Sequence, residues 1–459
     1  RAVDVRDLGT RVLAYLQDDQ RQRRQMPAQT ILVAEELTAS VLGEVPREAL
    51  IGVVSMRGSA NSHAAILARS MGIPAAVGVA DLPMNRLEGL PLVVDGYNGR
   101  VYVNPHDQVR RRFELLRAED TALTEELKAL IDLPCETLDG VRAPLWANTG
   151  VSADIQRASD NGAEGVGLYR TEVGFLLRDR FPSEEEQRQT YREQLEKLAP
   201  APVTMRTLDV GGDKSLPYFP IEEDNPFLGW RGIRVTLDHP EIFLTQVRAM
   251  LKANEGLGNL RILLPMITNL EELEEARLLI ARCHEEVQAE GFSQPLPPLG
   301  VMIEVPAAVY LARALAERAD FLSVGSNDLT QYLLAVDRNN PRVAGLYQPL
   351  HPALLTALKA VVDAAHDAGK TVSICGELAG DPVAAPLLVA MGFDQLSMNA
   401  GNLLRVKSVL RSLPLDDVRF MVERLTHFQS AIQISTQIEA LLRDNGLERF
   451  VRTGDRNPR

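Results

Sequence analysis

Gly165-Val-Gly-Leu-Tyr-Arg-Thr-Glu172 is the stretch that decides the fold of most of this chain, because an apolar strand pattern ends in charged residues. The same rhythm recurs beyond Pro134, with apolar runs separated by amphipathic helical patterns, and it is typical of parallel βα units. We identify the following strand candidates: Pro144–Asn148, Gly165–Tyr169, Val203–Leu208, Arg261–Pro265, Gly300–Ile303, Phe321–Val324, Thr371–Cys375 and Gln395–Met398.

This number of βα units in about 270 residues is what a (β/α)8 barrel requires, and we assign the barrel to residues 136–415. An open, doubly wound sheet is the alternative. It is disfavoured because no Gly-x-Gly-x-x-Gly turn follows the first strand. Helices and a tail are predicted at 416–459. The predicted fold class is therefore α/β, with a TIM barrel preceded by a smaller α/β domain.

The smaller domain is predicted at residues 26–106, from short strands that alternate with helical or turn patterns. A helix with an apolar stripe precedes it at residues 1–25, and a charged helix at residues 107–135 is predicted to link it to the barrel. The strand candidates of this domain are as follows: Thr30–Ala34, Leu50–Ser55, Ala75–Val77, Leu92–Asp95 and Val101–Asn104.

Within this domain, Gly58-Ser-Ala-Asn-Ser-His63 leads into a run with helical spacing that stops at Gly72 and Pro74. Asn and Ser favour an N-cap, and this places His63 on the first turn of a helix. Unpaired backbone N–H groups favour negative charge there. A histidine at this position can carry a phosphoryl group; the alternative is a histidine that only caps or packs.

Composition excludes several classes of protein. A formal net charge of −13 over 459 residues argues against a nucleic-acid surface and favours small molecules or protein partners. No apolar run approaches the roughly 20 residues of a membrane span, and no signal-peptide pattern is present. Three widely spaced cysteines argue against a disulfide framework. We expect a cytoplasmic protein and, because the first residue is not Met, a piece of a longer polypeptide.

The predicted strands end in residues suited to anion and metal chemistry. Arginines that converge on one barrel mouth need an anion between them, and guanidinium groups match phosphate and carboxylate oxygens. Two carboxylates on neighbouring strands, Glu304 and Asp328, are the usual protein contribution to an Mg2+ site. For any single residue a surface ion pair is the alternative. The further strand-end and loop residues are these: Arg170, Glu172, Arg206, Asp209, Lys214, Asn327, Glu377, Arg231, Arg234 and Arg338.

Cys375 ends the seventh predicted strand, and two roles are possible for it. A buried cysteine is usually a small apolar residue. At a strand end beside Gly376-Glu377 it can instead donate a proton to a carbon centre, and a thiol pKa near neutrality is expected for that role. Cys135 and Cys283 fall in linker or helix positions and are interpreted as structural.

The order of several motifs resembles Enzyme I, the phosphoenolpyruvate–protein phosphotransferase family of the bacterial phosphotransferase system. The resemblance covers nearly the whole chain up to the last barrel strand. Its motifs are these: Val3-Asp-Val-Arg-Asp-Leu-Gly9, Asn61-Ser-His63, Gly165-Val-Gly-Leu-Tyr-Arg-Thr-Glu172, Arg206-Thr-Leu-Asp-Val-Gly-Gly-Asp-Lys214, Asn225-Pro-Phe-Leu-Gly-Trp-Arg231, Gly325-Ser-Asn-Asp-Leu-Thr-Gln-Tyr332 and Ile374-Cys-Gly-Glu-Leu-Ala-Gly380.

The resemblance implies a role for each matching residue. His63 matches the phosphorylated histidine of a swivelling domain, and Cys375 matches the acid that protonates the enolate of pyruvate. Glu304 and Asp328 match the Mg2+ ligands. Asp328 also matches a position of the substrate site. The remaining matches are phosphoenolpyruvate-binding positions: Arg170, Arg206, Asn327 and Arg338. Implied partners are phosphoenolpyruvate, pyruvate, a histidine-phosphocarrier protein (HPr or its nitrogen-branch counterpart) and a second copy of the chain through the barrel; no nucleic acid or membrane is implied.

Two features depart from the sugar-system members that the chain resembles. Gly58-Ser-Ala-Asn-Ser-His-Ala64 and Arg178-Asp-Arg-Phe-Pro-Ser-Glu-Glu-Glu186 are more similar to the nitrogen-related branch. The family's helical carrier-binding subdomain is represented here only by its exit helix, residues 1–25, so we expect an incomplete phosphohistidine domain and poor carrier docking. The alternatives are the C-terminal part of a pyruvate phosphate dikinase or phosphoenolpyruvate synthase, and a regulatory module that binds phosphoenolpyruvate.

Overall fold

The computed structural model describes residues 27–37, 45–46, 48–57, 68, 72–79, 82–96, 98–340 and 342–451. The helix predicted at residues 1–25 and the segment 58–67, which contains His63, lie outside the described residues. The chain divides into two compact units between Phe113 and Glu114. Of the helices described, none combines the length and the hydropathy needed to cross a membrane.

The first unit contains a parallel sheet and a separate hairpin. Strands β1 to β3 form the sheet in the order β1-β2-β3, and β4 pairs antiparallel with β5. Val53 and Val54 on β2 are both fully buried but belong to different apolar clusters, so each face of the sheet is covered. Every strand predicted here is present, with bounds as follows: β1 Thr30–Glu36, β2 Leu50–Arg57, β3 Ala75–Val77, β4 Leu92–Asp95 and β5 Arg100–Val103.

The second unit contains the predicted barrel. Strands β6 to β13 are parallel and close in sequence order, and each predicted strand is confirmed to within two residues. The doubly wound alternative is therefore wrong, because β13 pairs with β6 and leaves the sheet without an edge. The strand bounds are these: β6 Leu145–Thr149, β7 Val166–Arg170, β8 Val203–Arg206, β9 Leu260–Leu264, β10 Leu299–Ile303, β11 Phe321–Gly325, β12 Thr371–Cys375 and β13 Gln395–Asn399.

The α-helices follow the strands and continue into the C-terminal region. Two of them begin with a capping box, Ser183 with Glu186 and Asn269 with Glu272, which satisfies the first free N–H groups. The bounds are these: α1 Asp107–Leu127, α2 Ser152–Asp160, α3 Glu172–Leu176, α4 Glu184–Leu198, α5 Ile233–Asp238, α6 Pro240–Ala253, α7 Leu270–Ala289, α8 Pro306–Tyr310, α9 Ala312–Ala316, α10 Ser326–Leu334, α11 Pro352–Asp367, α12 Ala385–Met391, α13 Leu403–Arg411, α14 Asp416–Glu423 and α15 Ala431–Asp444.

Strand side chains alternate between the inside of the barrel and the layer beneath the helices. The interior cluster includes Leu263, Met302 and Cys375, whereas Ile262 and Val301, one position away, pack in the large core that the helices cover. This alternation fixes the direction of every strand-end residue. Charged residues that follow the strands therefore meet at one mouth, where the carboxyl ends of parallel strands converge.

A buried lysine connects the last barrel helix to the segment that precedes β6. Lys407 on α13 is almost completely buried, and its Nζ donates hydrogen bonds to the carbonyl oxygens of Leu130, Ile131 and Leu133 at 3.0–3.1 Å. Burial lowers the pKa of this amine. The three carbonyls compensate the buried charge and hold the two ends of the barrel sequence together.

Replacing Lys407 with Met preserves the length of the side chain but removes these three hydrogen bonds. We expect the free energy of unfolding to fall by about 2 kcal/mol or more, because buried carbonyl oxygens lose their donor. Urea denaturation followed by circular dichroism measures the change. The control is Lys359→Met on α11, which removes only a partly exposed pair with Asp363 and is expected to cost less than about 0.5 kcal/mol. Equal stability of the two variants would contradict the assignment.

Candidate active site

The predicted strand-end residues occupy the mouth of the barrel. Arg170 is the last residue of β7 and pairs in register with Arg206, the last residue of β8. Glu304 follows β10 directly, Asp328 lies in the first turn of α10, and Cys375 ends β12. The charges of Arg170, Arg206 and Glu304 all act on the Cys375 thiol, which shows that these side chains share one electrostatic environment.

A fully buried arginine joins two sides of this mouth. The Arg231 guanidinium donates from Nε to Asp209 Oδ1 at 3.0 Å and from Nη2 to Asp209 Oδ2 at 3.1 Å. It also donates to Asp328, at 3.0 Å from Nη1 and 3.2 Å from Nη2. From the sequence, Arg231 was predicted only to lie in a downstream loop. The structure makes it the centre of the charge network, because its planar fork binds both carboxylates at once.

A second arginine extends the network towards β7. Arg206 Nη2 lies 2.6 Å from Glu172 Oε1 and 3.0 Å from Asp209 Oδ2, and Lys214 contacts both carboxylates. Two polar atoms in this group are buried without a hydrogen-bond partner in the described part of the chain, Arg206 Nε and Glu172 Oε2. An unpaired arginine donor at the mouth is an available contact for an anion.

The two predicted metal ligands differ in ionisation. Burial opposes the charge of Asp328, but Arg231 and Arg338 outweigh it and hold the pKa of Asp328 well below its usual range. Burial, followed by repulsion from Asp328 and Asp209, raises the pKa of Glu304 to about 7. Glu304 is thus a carboxylate that lacks sufficient positive charge around it. That is the situation a bound cation would relieve.

The backbone beside Glu304 is unusual. Met266 follows β9 with a φ of 56°, in the left-handed region that non-glycine residues rarely adopt, and its N–H donates to Glu304 Oε1 at 2.7 Å. This bond fixes the carboxylate at the mouth. Among the described residues, no group of three or more His, Cys, Asp or Glu side chains is arranged to hold a metal ion. Glu304 and Asp328 fit Mg2+ only as a pair whose remaining ligands come from water and substrate.

Cys375 is buried and protonated. Its thiol donates to the Val324 carbonyl oxygen at 3.4 Å and accepts from Ser323 Oγ at 3.8 Å. Burial raises the pKa of the Cys375 thiol to about 11, which Ser323 and Arg206 only partly offset. The expected near-neutral pKa is therefore wrong, because the interior position of the side chain disfavours the thiolate. Cys135 and Cys283, interpreted as structural, are buried free thiols whose pKa burial raises to about 12.

The other predicted binding residues lie after the strands, on α10, on α5 and in the loop that follows α10. Asn327 Oδ1 accepts the Glu377 N–H at 3.2 Å, which ties α10 to the loop after β12. The Arg338 guanidinium is partly exposed and lies 3.8 Å from Asp213. Arg234 instead donates to the Gly229 carbonyl at 2.9 Å, so its described contact supports the loop that carries Arg231.

A buried glutamine that no sequence motif singled out supports two of the arginines. Gln246 on α6 accepts the Leu208 N–H at 2.8 Å, and its amide donates to Thr171 Oγ1 and Tyr191 OH at 3.1 Å each. Thr171 in turn donates to the Arg206 carbonyl at 2.7 Å. The segments that carry Arg170 and Arg206 are thereby joined. A polar residue on an otherwise apolar helix face was the only sequence signal.

Replacing Arg231 with Lys preserves the charge but not the planar fork. We expect the free energy of unfolding to fall by at least about 2 kcal/mol, because one ammonium group cannot bind Asp209 and Asp328 together and leaves a buried carboxylate undercompensated. Guanidinium denaturation measures the change. Arg234→Lys is the matched control, since it removes a single hydrogen bond from the same loop. A smaller loss for Arg231→Lys than for Arg234→Lys would contradict the central role of Arg231.

Two family models match the chain. The model for the PEP-binding domain of PEP-utilising enzymes matches residues 124–415, and the model for the mobile domain of the same enzymes matches residues 26–99. The first match covers the barrel and the mouth described above. The second covers the parallel sheet and strand β4, together with position 63, and ends before β5.

Curated relatives match almost the full chain. Proteins named "Phosphoenolpyruvate-dependent phosphotransferase system" from Salmonella typhimurium and Escherichia coli are 46% and 45% identical over 455 residues, or 99% of this chain. The chain spans 61% of the length of these two relatives. A phosphoenolpyruvate-protein phosphotransferase from Geobacillus stearothermophilus is 40% identical over 437 residues, covering 95% of this chain and 75% of that protein. The chain belongs to the phosphoenolpyruvate-protein phosphotransferase family of PEP-utilising enzymes.

Proposed function

We propose that this chain transfers the phosphoryl group of phosphoenolpyruvate to His63, releases pyruvate, and passes the group to a small histidine-phosphocarrier protein. The observation that carries the proposal is the barrel mouth. Buried arginines, the protonated thiol of Cys375 and the carboxylate of Glu304, which has too little positive charge around it, meet there. All of them lie within the residues that the PEP-binding domain model matches. His63 falls within the mobile-domain match. Family membership supports the same reaction.

The substrate is proposed to bind through its phosphate and carboxylate groups. Arg170, Arg206, Asn327 and Arg338 would contact these groups, and Asp328 would lie beside them. Arg206 has a buried Nε without a partner in the described residues, which suits an incoming oxygen. Gln246 and Thr171 hold the segments of Arg170 and Arg206, so the site is positioned before substrate arrives.

Glu304 and Asp328 are the proposed Mg2+ ligands. A bound Mg2+ would neutralise negative charge on the phosphoryl group and on the enolate oxygen. Within the chain itself, Arg231 keeps Asp328 ionised, and the Met266 N–H orients Glu304. These contacts prepare the two carboxylates without requiring either to move.

His63 is the proposed phosphoryl acceptor. A neutral imidazole attacks phosphorus, the phosphorus–oxygen bond to the enolate breaks, and phosphohistidine forms. The enolate then takes the proton of Cys375: the S–H bond breaks, a C–H bond forms at the terminal carbon, and a thiolate remains. Burial keeps the Cys375 proton in place at neutral pH, as a proton donor requires.

Branch, assembly and location are further parts of the proposal. The sequence motifs favour the nitrogen-related branch. The relatives at 45–46% identity are also longer proteins than those at 39–40% identity. Alignments of similar length cover 61% of the former and 75–78% of the latter. The carrier would then be the nitrogen-branch counterpart of HPr. The protein is proposed to act in the cytoplasm as a homodimer formed through the barrel, as expected from the family resemblance.

Replacing His63 with Ala is expected to abolish acid-labile phosphate incorporation from labelled phosphoenolpyruvate, because the imidazole of His63 is the proposed acceptor and a phosphate on a neighbouring serine hydroxyl would be acid-stable. Autoradiography after brief incubation with Mg2+ measures the incorporation. His106→Ala is the control and is expected to label normally, since His106 is exposed before α1. Retained label in His63→Ala would refute the acceptor, and formation of AMP from ATP by the intact parent protein would favour a dikinase or synthase.

Replacing Cys375 with Ala is expected to slow pyruvate formation at least about tenfold while labelling of His63 persists, because only the second step needs the thiol proton. Rapid-quench assays of pyruvate and phosphohistidine separate the two steps. The thiol is protonated below its pKa of about 11 and loses its proton only as pH rises through that value, so its contribution should stay constant from pH 6 to pH 9. Cys283→Ala is the control. An equal loss of both steps would exclude the acid role.

A further inference from the structure

The barrel has an open depression at the end opposite the mouth. Its volume is about 590 Å3, within the usual size of small-molecule pockets. Its walls come from the first or second residues of several strands and from the residues that precede them, so it lies at the amino ends of the strands. The lining residues include Trp146, Arg261, Asp320, Phe321, Thr371 and Gln395.

Arg261 is the charged centre of this depression, which we call the Arg261 pocket. Its guanidinium lies 3.7 Å from the centre of the Phe321 ring and 5.2 Å from that of Trp146. The Phe321 ring packs against Gly300, which has no side chain. A Cβ at position 300 would lie 2.2 Å from the ring. The stacked guanidinium is therefore held in one plane, with its N–H edge left for other partners.

No carboxylate of the described residues lies within ion-pairing distance of Arg261, and none of their polar atoms accepts a hydrogen bond from its guanidinium. Burial lowers the pKa of Arg261 to about 10, and the charge of Asp320 offsets this only in part. The contrast with the mouth is direct, since Arg206 and Arg231 each bind two carboxylates there. A guanidinium that is held in place but has no anionic partner is available to bind the oxygens of an anion.

We infer that the Arg261 pocket binds a small organic monocarboxylate with a flat apolar body. The carboxylate would contact the guanidinium edge, and the apolar body would lie against the exposed side chains of Leu296 and Pro298. A single guanidinium beside the carboxylate of Asp320 matches one negative charge better than the two of a phosphate monoester. Thr371 and Gln395 supply hydroxyl and amide groups for a polar substituent.

This site is independent of the proposed phosphoryl transfer. It lies at the opposite ends of the same strands, and none of its residues belongs to the network of Arg206, Arg231 and Asp328. A ligand there contacts β6, β9 and β11 directly. Binding should therefore persist when the mouth is saturated with phosphoenolpyruvate.

Fluorescence of Trp146 tests the inference. The sequence contains two tryptophans, so the Trp230→Phe protein reports on Trp146 alone. Titration with benzoate is expected to change the emission saturably, with and without excess phosphoenolpyruvate. Neutral benzamide should give no saturable change, and inorganic phosphate should bind more weakly than benzoate. Tighter binding of phosphate would overturn the monocarboxylate class, and loss of benzoate binding in excess phosphoenolpyruvate would place the ligand at the mouth.

Substitutions in the same background identify the contact. Arg261→Met should weaken benzoate binding at least about tenfold, and Arg261→Lys should also weaken it because the fork is lost. The matched control is Arg424→Met, since Arg424 also stacks on an aromatic ring, Phe420 at 5.2 Å, but outside the pocket. Thermal denaturation checks folding, and Arg261→Lys decides the question if Arg261→Met unfolds. Unchanged affinity in Arg261→Lys, or no saturable signal in the parent protein, would refute the site.

Discussion

The buried guanidinium of Arg231 is the interaction on which the barrel mouth depends. A charge removed from water must be compensated nearby, and Arg231 meets this requirement by binding Asp209 after β8 and Asp328 on α10 at the same time. Arg206, Glu172 and Lys214 complete the balance on the β7 side. The network is both a fold constraint, because it joins distant parts of the sequence, and the source of the site's electrostatics.

The same network gives neighbouring groups opposite ionisation. Arg231 holds the pKa of Asp328 well below its usual range, whereas burial, followed by repulsion from Asp328 and Asp209, raises the pKa of Glu304 to about 7. Cys375, at the end of β12, keeps its proton because burial outweighs the nearby arginines. Burial and one arrangement of charges together thus produce an ionised carboxylate, a carboxylate short of positive charge and a protonated thiol. The proposed metal-binding and proton-donating roles follow from these differences rather than from residue type alone.

The charges of the arginines are balanced differently at the two ends of the barrel. At the mouth, guanidinium groups are balanced by carboxylates and leave single donors, such as Arg206 Nε, for a substrate. At the other end, Arg261 is held by Phe321 and Trp146 without an anionic partner. Stacking fixes orientation without neutralising charge, which is why the second site is expected to prefer a monocarboxylate.

Sequence patterns were enough to predict the fold class and to place most of the proposed site residues at the barrel mouth. Short, largely apolar runs such as Gly300–Ile303 and Phe321–Val324 predict buried strands where they recur between amphipathic helical patterns. Charged residues at or directly after such strands, such as Arg170 and Glu304, lie at the carboxyl end of the barrel because all its strands run parallel. Tertiary structure decided the partners and the ionisation. The bidentate position of Arg231, the support from Gln246 and the raised pKa of Cys375 depend on distances between residues far apart in the sequence. Local patterns contain no such distances, because burial and Coulomb interactions arise only when the strands have closed into the barrel.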